Sequence, residues 1–314
     1  MKIDLSIVIP VYNEEDNVVV LYDEVKSALA SLNMKREIIF VDDGSTDETF
    51  NKLNGIRLQD GDIYIIKFRK NFGKSAALNA AFERVKGEIV VTMDGDLQDD
   101  PKEIARFVDK LNEGYDLVSG WKYKRNDPIT KRFPSKIFNR LTSMLTGVEL
   151  HDFNCGFKAY KKKVLENIHL YGEMHRYIPA LAAWHGFKIA EIKVEHRQRK
   201  HGKSKYGFTR LIKGFLDLIT VKFLTSYSSR PLHVFGIPGM LSLSLGFLIG
   251  FYLVVLKYLE DIVLGDRPML LLSVLLIILG LQFVSMGLLG EMITFGGMKD
   301  EKADKFIELV VGDR

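Results

Sequence analysis

Between residue 3 and about residue 120, short apolar runs rich in β-branched residues alternate with longer stretches whose apolar positions recur every three to four residues. The short runs predict strands at 5–9, 37–41, 63–67, 89–93 and 116–119. The longer stretches predict helices at 17–32, 47–58, 75–85 and 101–112. The strand runs are continuously apolar, as required of strands covered by helices on both faces. The pattern therefore predicts an α/β domain with a largely parallel sheet, whose ligands meet the carboxyl ends of the strands.

Toward the C-terminus the pattern changes. Residues 234–256 and 268–290 are two windows of 23 residues without a charge. As helices each would reach about 34 Å, enough to cross a hydrocarbon core of about 30 Å. Both predict transmembrane helices, forming a hairpin with an integral membrane location. Ahead of them, residues 206–227 mix Phe208, Leu211, Ile212, Phe215 and Leu216 with Arg210, Lys213 and Lys222. Two readings stand for this stretch: a helix lying in the headgroup plane, or an amphipathic helix packed on the soluble domain. Ser242, Gly246 and Gly250 recur every four residues in the first span, a spacing that lets helix backbones approach closely. That face pairs either with the second span or with another subunit, which would make a homo-oligomer. The resulting division is a catalytic domain over 1–205, interfacial helices over 206–232, two spans within 233–292 and a tail over 293–314.

Charge sharpens this division. The net charge of +4 is a sum of unlike parts: 15 Lys/Arg against 23 Asp/Glu in residues 1–120, 23 against 8 in 121–230, and 6 against 9 in 231–314. Residues 193–230, just before the first span, carry ten basic residues, and the tail after the second carries four; the connection between the spans has two basic and three acidic. The positive-inside rule then places the catalytic domain and both termini in the cytoplasm, at the cell membrane or the endoplasmic reticulum. The apolar run at 5–11 is too short for a signal peptide and follows Asp4. The lone cysteine, Cys155, excludes an internal disulfide and a cysteine-rich zinc site.

The chemistry lies just after each predicted strand. In order come Pro10-Val11-Tyr12-Asn13-Glu14, Asp42-Asp43-Gly44-Ser45-Thr46-Asp47, Asn71-Phe72-Gly73-Lys74 and Asp94-Gly95-Asp96-Leu97-Gln98. Any one of these could be a turn signal. Asp94 and Asp96, however, are two carboxylates that repel at a strand end unless a cation or water separates them. Hard oxygen ligands suit Mg²⁺ or Mn²⁺ shared with substrate phosphates. Gly73-Lys74-Ser75 is not a P-loop, because Phe68 stands where its first glycine belongs, and no G-x-G-x-x-G follows the first strand.

Together with Gly202-Lys203-Ser204-Lys205-Tyr206, these motifs resemble the inverting family 2 glycosyltransferases of GT-A fold. More narrowly, they resemble the polyprenyl-phosphate glycosyltransferases, the group containing dolichol-phosphate mannose synthase. The resemblance covers about residues 3–230, and the two spans match the membrane-anchored branch. It implies a GT-A nucleotide-sugar-binding domain followed by a transmembrane hairpin. It implies that Pro10, Tyr12, Glu14, Asp42 and Asp43, with Asn71, Gly73, Lys74, Asp94 and Gly95, hold a nucleotide sugar, and that Asp96 and Gln98, with Asp94, ligate the metal. It implies that Arg132, Ser135 and Asn139 bind the acceptor phosphate, with His175, Arg176, Arg197, Arg199, Lys203, Ser204 and Lys205 as further acceptor-side candidates. The alternative for residues 197–205 is attraction to anionic headgroups. Asp152, in Asp152-Phe153-Asn154-Cys155-Gly156-Phe157-Lys158, matches an aspartate near the reacting centre, where it would orient sugar or acceptor; a helix cap is the other reading. Trp121-Lys122 stands where mannose-transferring relatives tend to have Ser-Arg, which favours a UDP-sugar over GDP-mannose. The expected partners are thus a nucleotide sugar, a polyprenyl phosphate and the bilayer, with no nucleic acid.

Two other functions remain in competition. A processive polysaccharide synthase predicts more spans and a Gln-x-x-Arg-Trp motif, and neither Trp121 nor Trp184 follows Gln-x-x-Arg. A catalytically silent membrane scaffold predicts eroded metal ligands, whereas Asp94, Asp96 and Gln98 are all present.

Overall fold

The computed structural model describes residues 2–123, 129–166, 168, 170, 172–197, 216–223, 231–260 and 268–298, with 129–137, 260 and 294–298 described in backbone only. The chain divides into two units, Met1–Lys222 and Phe223–Arg314.

The first unit is built on a sheet of seven strands: β1 (Leu5–Val11), β2 (Arg36–Asp42), β3 (Ile63–Lys67), β4 (Ile89–Thr92), β5 (Leu117–Lys122), β6 (Lys158–Lys161) and β7 (Ile189–Val194). They lie in the order β3-β2-β1-β4-β6-β5-β7. All neighbours are parallel except β6, which runs antiparallel to both β4 and β5. This is a GT-A-like α/β fold with a mostly parallel sheet. Leu5, Ile7, Val8 and Ile9 of β1 are fully buried, as expected of a central strand covered on both faces. The covering helices include α1 (Val18–Ala30), α2 (Thr49–Arg57), α3 (Lys74–Phe82) and α4 (Ile104–Asn112). The buried stripe of α1 is Val18, Leu21, Tyr22, Val25 and Leu29, and that of α4 is Ile104, Phe107, Val108 and Leu111, each at the three- and four-residue spacing of one helix face.

The structure departs from the sequence pattern at several places, β7 being one strand that the pattern does not predict. Residues 101–103 form a 3-10 turn capped by Asp100, and α4 begins only at Ile104. Strand β5 runs on to Lys122 because β7 pairs with it along its whole length, Lys122 opposite Val194. Trp121 and Lys122 are therefore strand residues rather than residues following the strand. Finally, β6 enters the sheet from the polar stretch after Gly156, where the sequence shows no strand-like run.

In open α/β sheets ligands meet the strand ends in the crevice where neighbouring ladders part, and here two ladders part at β1. Its ladder with β4 ends at Val8 opposite Thr92, while its ladder with β2 continues to Val11 opposite Asp42. Pro10 lies in the part of β1 that β4 no longer pairs, so its missing N–H leaves no gap in the β1–β4 ladder. Further along come α5 (Ile129–Thr146), α6 (Lys162–Leu165), α7 (Ile178–Trp184) and α8 (216–223). Of the predicted interfacial stretch 206–227, only α8 is described. Leu216 and Ile219 are exposed on it, and Asp217 accepts a hydrogen bond from the Glu173 amide at 3.1 Å.

The second unit contains helices α9 (Pro231–Glu260) and α10 (Pro268–Met298). The most apolar 18-residue windows within residues 231–259 and 268–293 have mean hydropathies of 2.2 and 2.5, yet only 17% and 11% of these windows are buried. A soluble core helix hides such a surface, whereas a membrane hairpin turns it toward lipid. The small-residue face of α9 meets α10. Ser242 Oγ donates to Leu276 O at 2.7 Å, and Ser273 Oγ donates to Gly246 O at 2.8 Å. A Cβ on Gly280 would lie 2.7 Å from Gly239 O. The stripe read from the sequence thus pairs with the second span.

Candidate active site

Four loops converge at the carboxyl ends of β1, β2, β3 and β4, and hydrogen bonds lace the first two together. Asn13, in the left-handed region at φ 52°, accepts from Thr46 N at 2.9 Å through its side chain and donates its own amide to Ser45 Oγ at 2.9 Å. Glu14 accepts from the Asn17 amide at 2.6 Å, and Glu14 N donates to Thr49 Oγ1 at 2.9 Å. Gly44 lies against the Lys70 backbone, where a Cβ would come within 2.6 Å of Lys70 Cα. Only glycine fits there, at φ 71°.

The two aspartates after β2 have different surroundings. Asp42 is fully buried; one oxygen accepts from Ser45 N at 2.8 Å and the other, Oδ2, is buried without a partner. Such an orphan is costly unless a ligand donor reaches it. Asp43 accepts from Phe72 N at 2.7 Å and Gly73 N at 2.9 Å, which fixes the loop of Asn71 and Gly73 ahead of α3. Burial pushes the Asp43 carboxyl up, and those two amides oppose the shift.

Lys74, the first residue of α3, places its ammonium on the Asp94 carboxylate. Burial alone would raise the Asp94 pKa, but Lys74 and Lys122 reverse this and hold it well below the usual carboxylate range. Asp94 N donates to Asp99 Oδ2 at 3.2 Å, and Asp99, fully buried, pairs with Lys122 at 3.0 Å. Gly95 has no room for a side chain, since a Cβ would lie 2.8 Å from Val11 Cγ1. Asp96 Oδ1 accepts from Gln98 N at 3.2 Å, and the Gln98 side chain lies 3.5 Å from His196 Nε2. Among the described residues, no three His, Cys, Asp or Glu side chains converge as a metal-holding group. Asp94 carries the Lys74 ammonium, and Asp96 and Gln98 stand two and four residues further along the same loop.

On the other side of the crevice, Asp152 is 1% exposed and accepts from Asn154 N at 3.1 Å. Glu191 of β7 accepts from Asp152 N at 3.1 Å and from His151 N at 2.9 Å, so the turn that carries Asp152 hangs from the sheet edge. Asn139 donates to His151 O at 2.7 Å and joins α5 to the same turn. Arg132, Ser135 and Asn139 follow i, i+3, i+7 spacing on α5, which places them on one helix face; the side chains of Arg132 and Ser135 lie outside the described residues. His175 approaches Ser75 through its ring Nδ1 at 2.9 Å, beside Lys74, while Arg176 is buried against Glu173 at 3.1 Å.

Arg197 is engaged within the domain. It pairs with Glu24 at 2.6 Å and Asp100 at 2.7 Å, and its amide donates to Gln98 O at 2.9 Å, so it fastens the Gln98 loop to α1. Arg199, Lys203, Ser204 and Lys205 lie outside the described residues. The sequence reading missed Lys158 and Glu191, and it noted Lys122 only as a departure. Neither Lys158 nor Glu191 follows a predicted strand, and only the pairing of β5, β6 and β7 brings all three to the crevice.

The sequence and the fold are similar to those of known proteins. The family described as "Glycosyl transferase family 2" matches residues 6–169. A dodecaprenyl-phosphate galacturonate synthase from Rhizobium johnstonii is 38% identical over 311 residues, covering 98% of this chain and 92% of the relative. An undecaprenyl-phosphate 4-deoxy-4-formamido-L-arabinose transferase from Shewanella sediminis is 38% identical over 291 residues, covering 92% and 86%. Among solved structures, glucosyl-3-phosphoglycerate synthase from Mycobacterium tuberculosis, crystallised with Mn²⁺, uridine diphosphate and phosphoglyceric acid, superposes with a TM-score of 0.52 at 20% identity, covering 71% of this chain and 78% of that one. That last likeness concerns the fold alone. With strand-end motifs, sheet order and near full-length relatives in agreement, the chain belongs to glycosyltransferase family 2.

Proposed function

We propose that this enzyme transfers a sugar from a nucleoside-diphosphate sugar, UDP-linked in preference to GDP-mannose, to a polyprenyl phosphate, with inversion to a β-linked lipid phosphosugar. The observation that carries the reading is the presence in one chain of an acidic crevice at the strand ends and a membrane hairpin. Two near full-length relatives named for polyprenyl-phosphate sugar transfer support it. They differ in the sugar named, so the donor sugar is best identified by a panel of nucleotide sugars.

The donor set fits a hard cation. Asp96 and Gln98, with Asp94, offer oxygen ligands at the crevice, and Mg²⁺ characteristically binds through few protein ligands and completes its shell with phosphate and water. Bound there, the ion neutralises charge on the departing diphosphate. Asp42, with its orphaned oxygen, and the loops of Pro10, Tyr12, Glu14, Asn71 and Gly73 hold the nucleoside. Lys74 supplies positive charge to the diphosphate, and Asp152 orients sugar and acceptor. Phosphomonoesters have a second pKa near about 6, so the lipid phosphate reaches the site already deprotonated. Arg132, Ser135 and Asn139 then align it with the anomeric carbon, and alignment rather than proton abstraction is the main demand on the protein. The catalytic domain and both termini face the cytoplasm, following the basic flanks of the hairpin.

The test incubates the purified protein with UDP- or GDP-sugars, Mg²⁺ or Mn²⁺ and polyprenyl phosphate in detergent. One sugar per lipid is the expected product, and Asp96→Ala is expected to lower its rate by about 100-fold or more. Equal product from Asp96→Ala removes the metal assignment. Products carrying many sugars would favour a synthase, and a protein that binds no nucleotide sugar would favour the scaffold.

A further inference from the structure

Lys158 is a basic residue that the transfer reaction leaves unassigned. It lies on β6 opposite Thr92 of β4 and Ser119 of β5, and is 3% exposed. Its ammonium donates to Phe153 O at 3.4 Å and touches Cys155 O. From the adjoining strand, Thr92 Oγ1 donates to Gly156 O at 2.9 Å. Three carbonyls of the 152–156 turn are thus held from beneath by two side chains of the sheet. The turn carries Asp152 at its start. At its end, Gly156 forms the wall against which Asp94 lies, since a Cβ there would sit 2.6 Å from both Asp94 oxygens.

A buried ammonium bonded only to carbonyls is an expensive way to stabilise a fold. An apolar side chain of similar length would avoid the desolvation cost, and such replacements are often neutral or stabilising. Burial and the nearby Lys74 ammonium hold the Lys158 pKa below its ordinary value, while Asp152 and Asp94 act in the opposite direction. The charge has a purpose if it fixes the geometry of those two carboxylates.

We propose that Lys158 is a positioning residue of the transferase site: its ammonium, bonded inside the 152–156 turn, sets Asp152 and the Gly156 wall behind Asp94. This rests on the transferase reading above and adds to it the element that preorganises the turn.

The test compares Lys158→Met with wild type as full-length protein in detergent. UDP with Mn²⁺ probes binding, and polyprenyl phosphate with the nucleotide sugar that wild type uses probes turnover. A positioning role predicts an unchanged or higher melting temperature, UDP affinity and donor KM within about threefold, and kcat lower by about 30–100-fold. It also predicts that Lys158→Met combined with Asp152→Asn loses less than the product of the two single losses, because the lysine acts in part through Asp152. Lys158→Gln, which keeps a donor without the charge, provides a second reading if the Met variant does not melt cooperatively. Turnover within threefold of wild type, or losses that multiply in the double variant, overturns the proposal. So does failure of both Lys158 variants to fold, which would make the lysine a stabilising residue. A wild-type protein that transfers no sugar to polyprenyl phosphate overturns the transferase reading and this one together, whereas an active wild type confines any failure to Lys158.

Discussion

Replacing Gly156 by alanine adds a single methyl group, and the structure says where it must go. Its Cβ would lie 2.6 Å from Oδ1 and Oδ2 of Asp94 and 2.7 Å from Cγ, against an ordinary contact of 3.4 Å or more. The carboxylate is the end of a side chain that can move, so it retreats by about 0.8 Å and the backbone stays in place. That movement disturbs the Lys74–Asp94 ion pair at the centre of the crevice. A displacement near 1 Å in a reacting assembly costs about 100-fold, or about 2.7 kcal/mol in transition-state stabilisation. The expected result is a kcat/KM about 30–100-fold below wild type, with a melting temperature within a few degrees. The assay is initial-rate transfer to polyprenyl phosphate in detergent, paired with thermal unfolding of the same preparation. A variant that melts like wild type and retains kcat/KM within threefold would refute the idea that the position of Asp94 is set by the absence of a side chain at 156.

Two further outcomes follow from packing and charge away from the crevice. Gly280→Val puts bulk where a Cβ already lies 2.7 Å from Gly239 O and from Leu243 N, so the two membrane helices must separate; cysteine cross-linking between them in membranes should fall, with a destabilisation of about 1–3 kcal/mol. Lys26 and Tyr22 hold the Asp60 carboxyl down at about 2, below its unfolded value, so the stability it contributes is complete above pH ~4 and is lost as pH falls toward 2. Melting curves of wild type and Asp60→Asn should therefore differ at pH 6 and converge near pH 2, and equal separation at both values would exclude the linkage.

The strand-end motifs were legible because each lies directly after a run whose apolar continuity marks a buried strand, so local pattern alone brings Asn13, Asp42, Gly73 and Asp96 to one rim. Glycines 44 and 95 were visible in the same motifs, although the reason for them, contact with Lys70 and Val11, is not local. The sequence assigns no site role to Lys122, Lys158 or Glu191 for a corresponding reason. They lie on β5, β6 and β7, and nothing in their own neighbourhoods indicates that β6 turns back to run antiparallel between β4 and β5. Arg197 shows the same limit in reverse. Its position in a basic stretch suggested a phosphate ligand, yet Glu24 and Asp100, one of them 173 residues away, take up its guanidinium.

Local pattern along the chain was sufficient to determine the α/β order up to about residue 120, the two apolar spans and the acidic character of the strand-end motifs, since each depends on residues close together in sequence. The tertiary structure decided which charges meet. An ion pair depends on where distant segments return in space, and the same aspartate can hold a metal, cap a turn or accept a lysine. Asp94 accepts Lys74, the small residues of α9 face α10, and a buried lysine supports the turn of Asp152. Each of these pairings is set by chain topology, which no local pattern encodes.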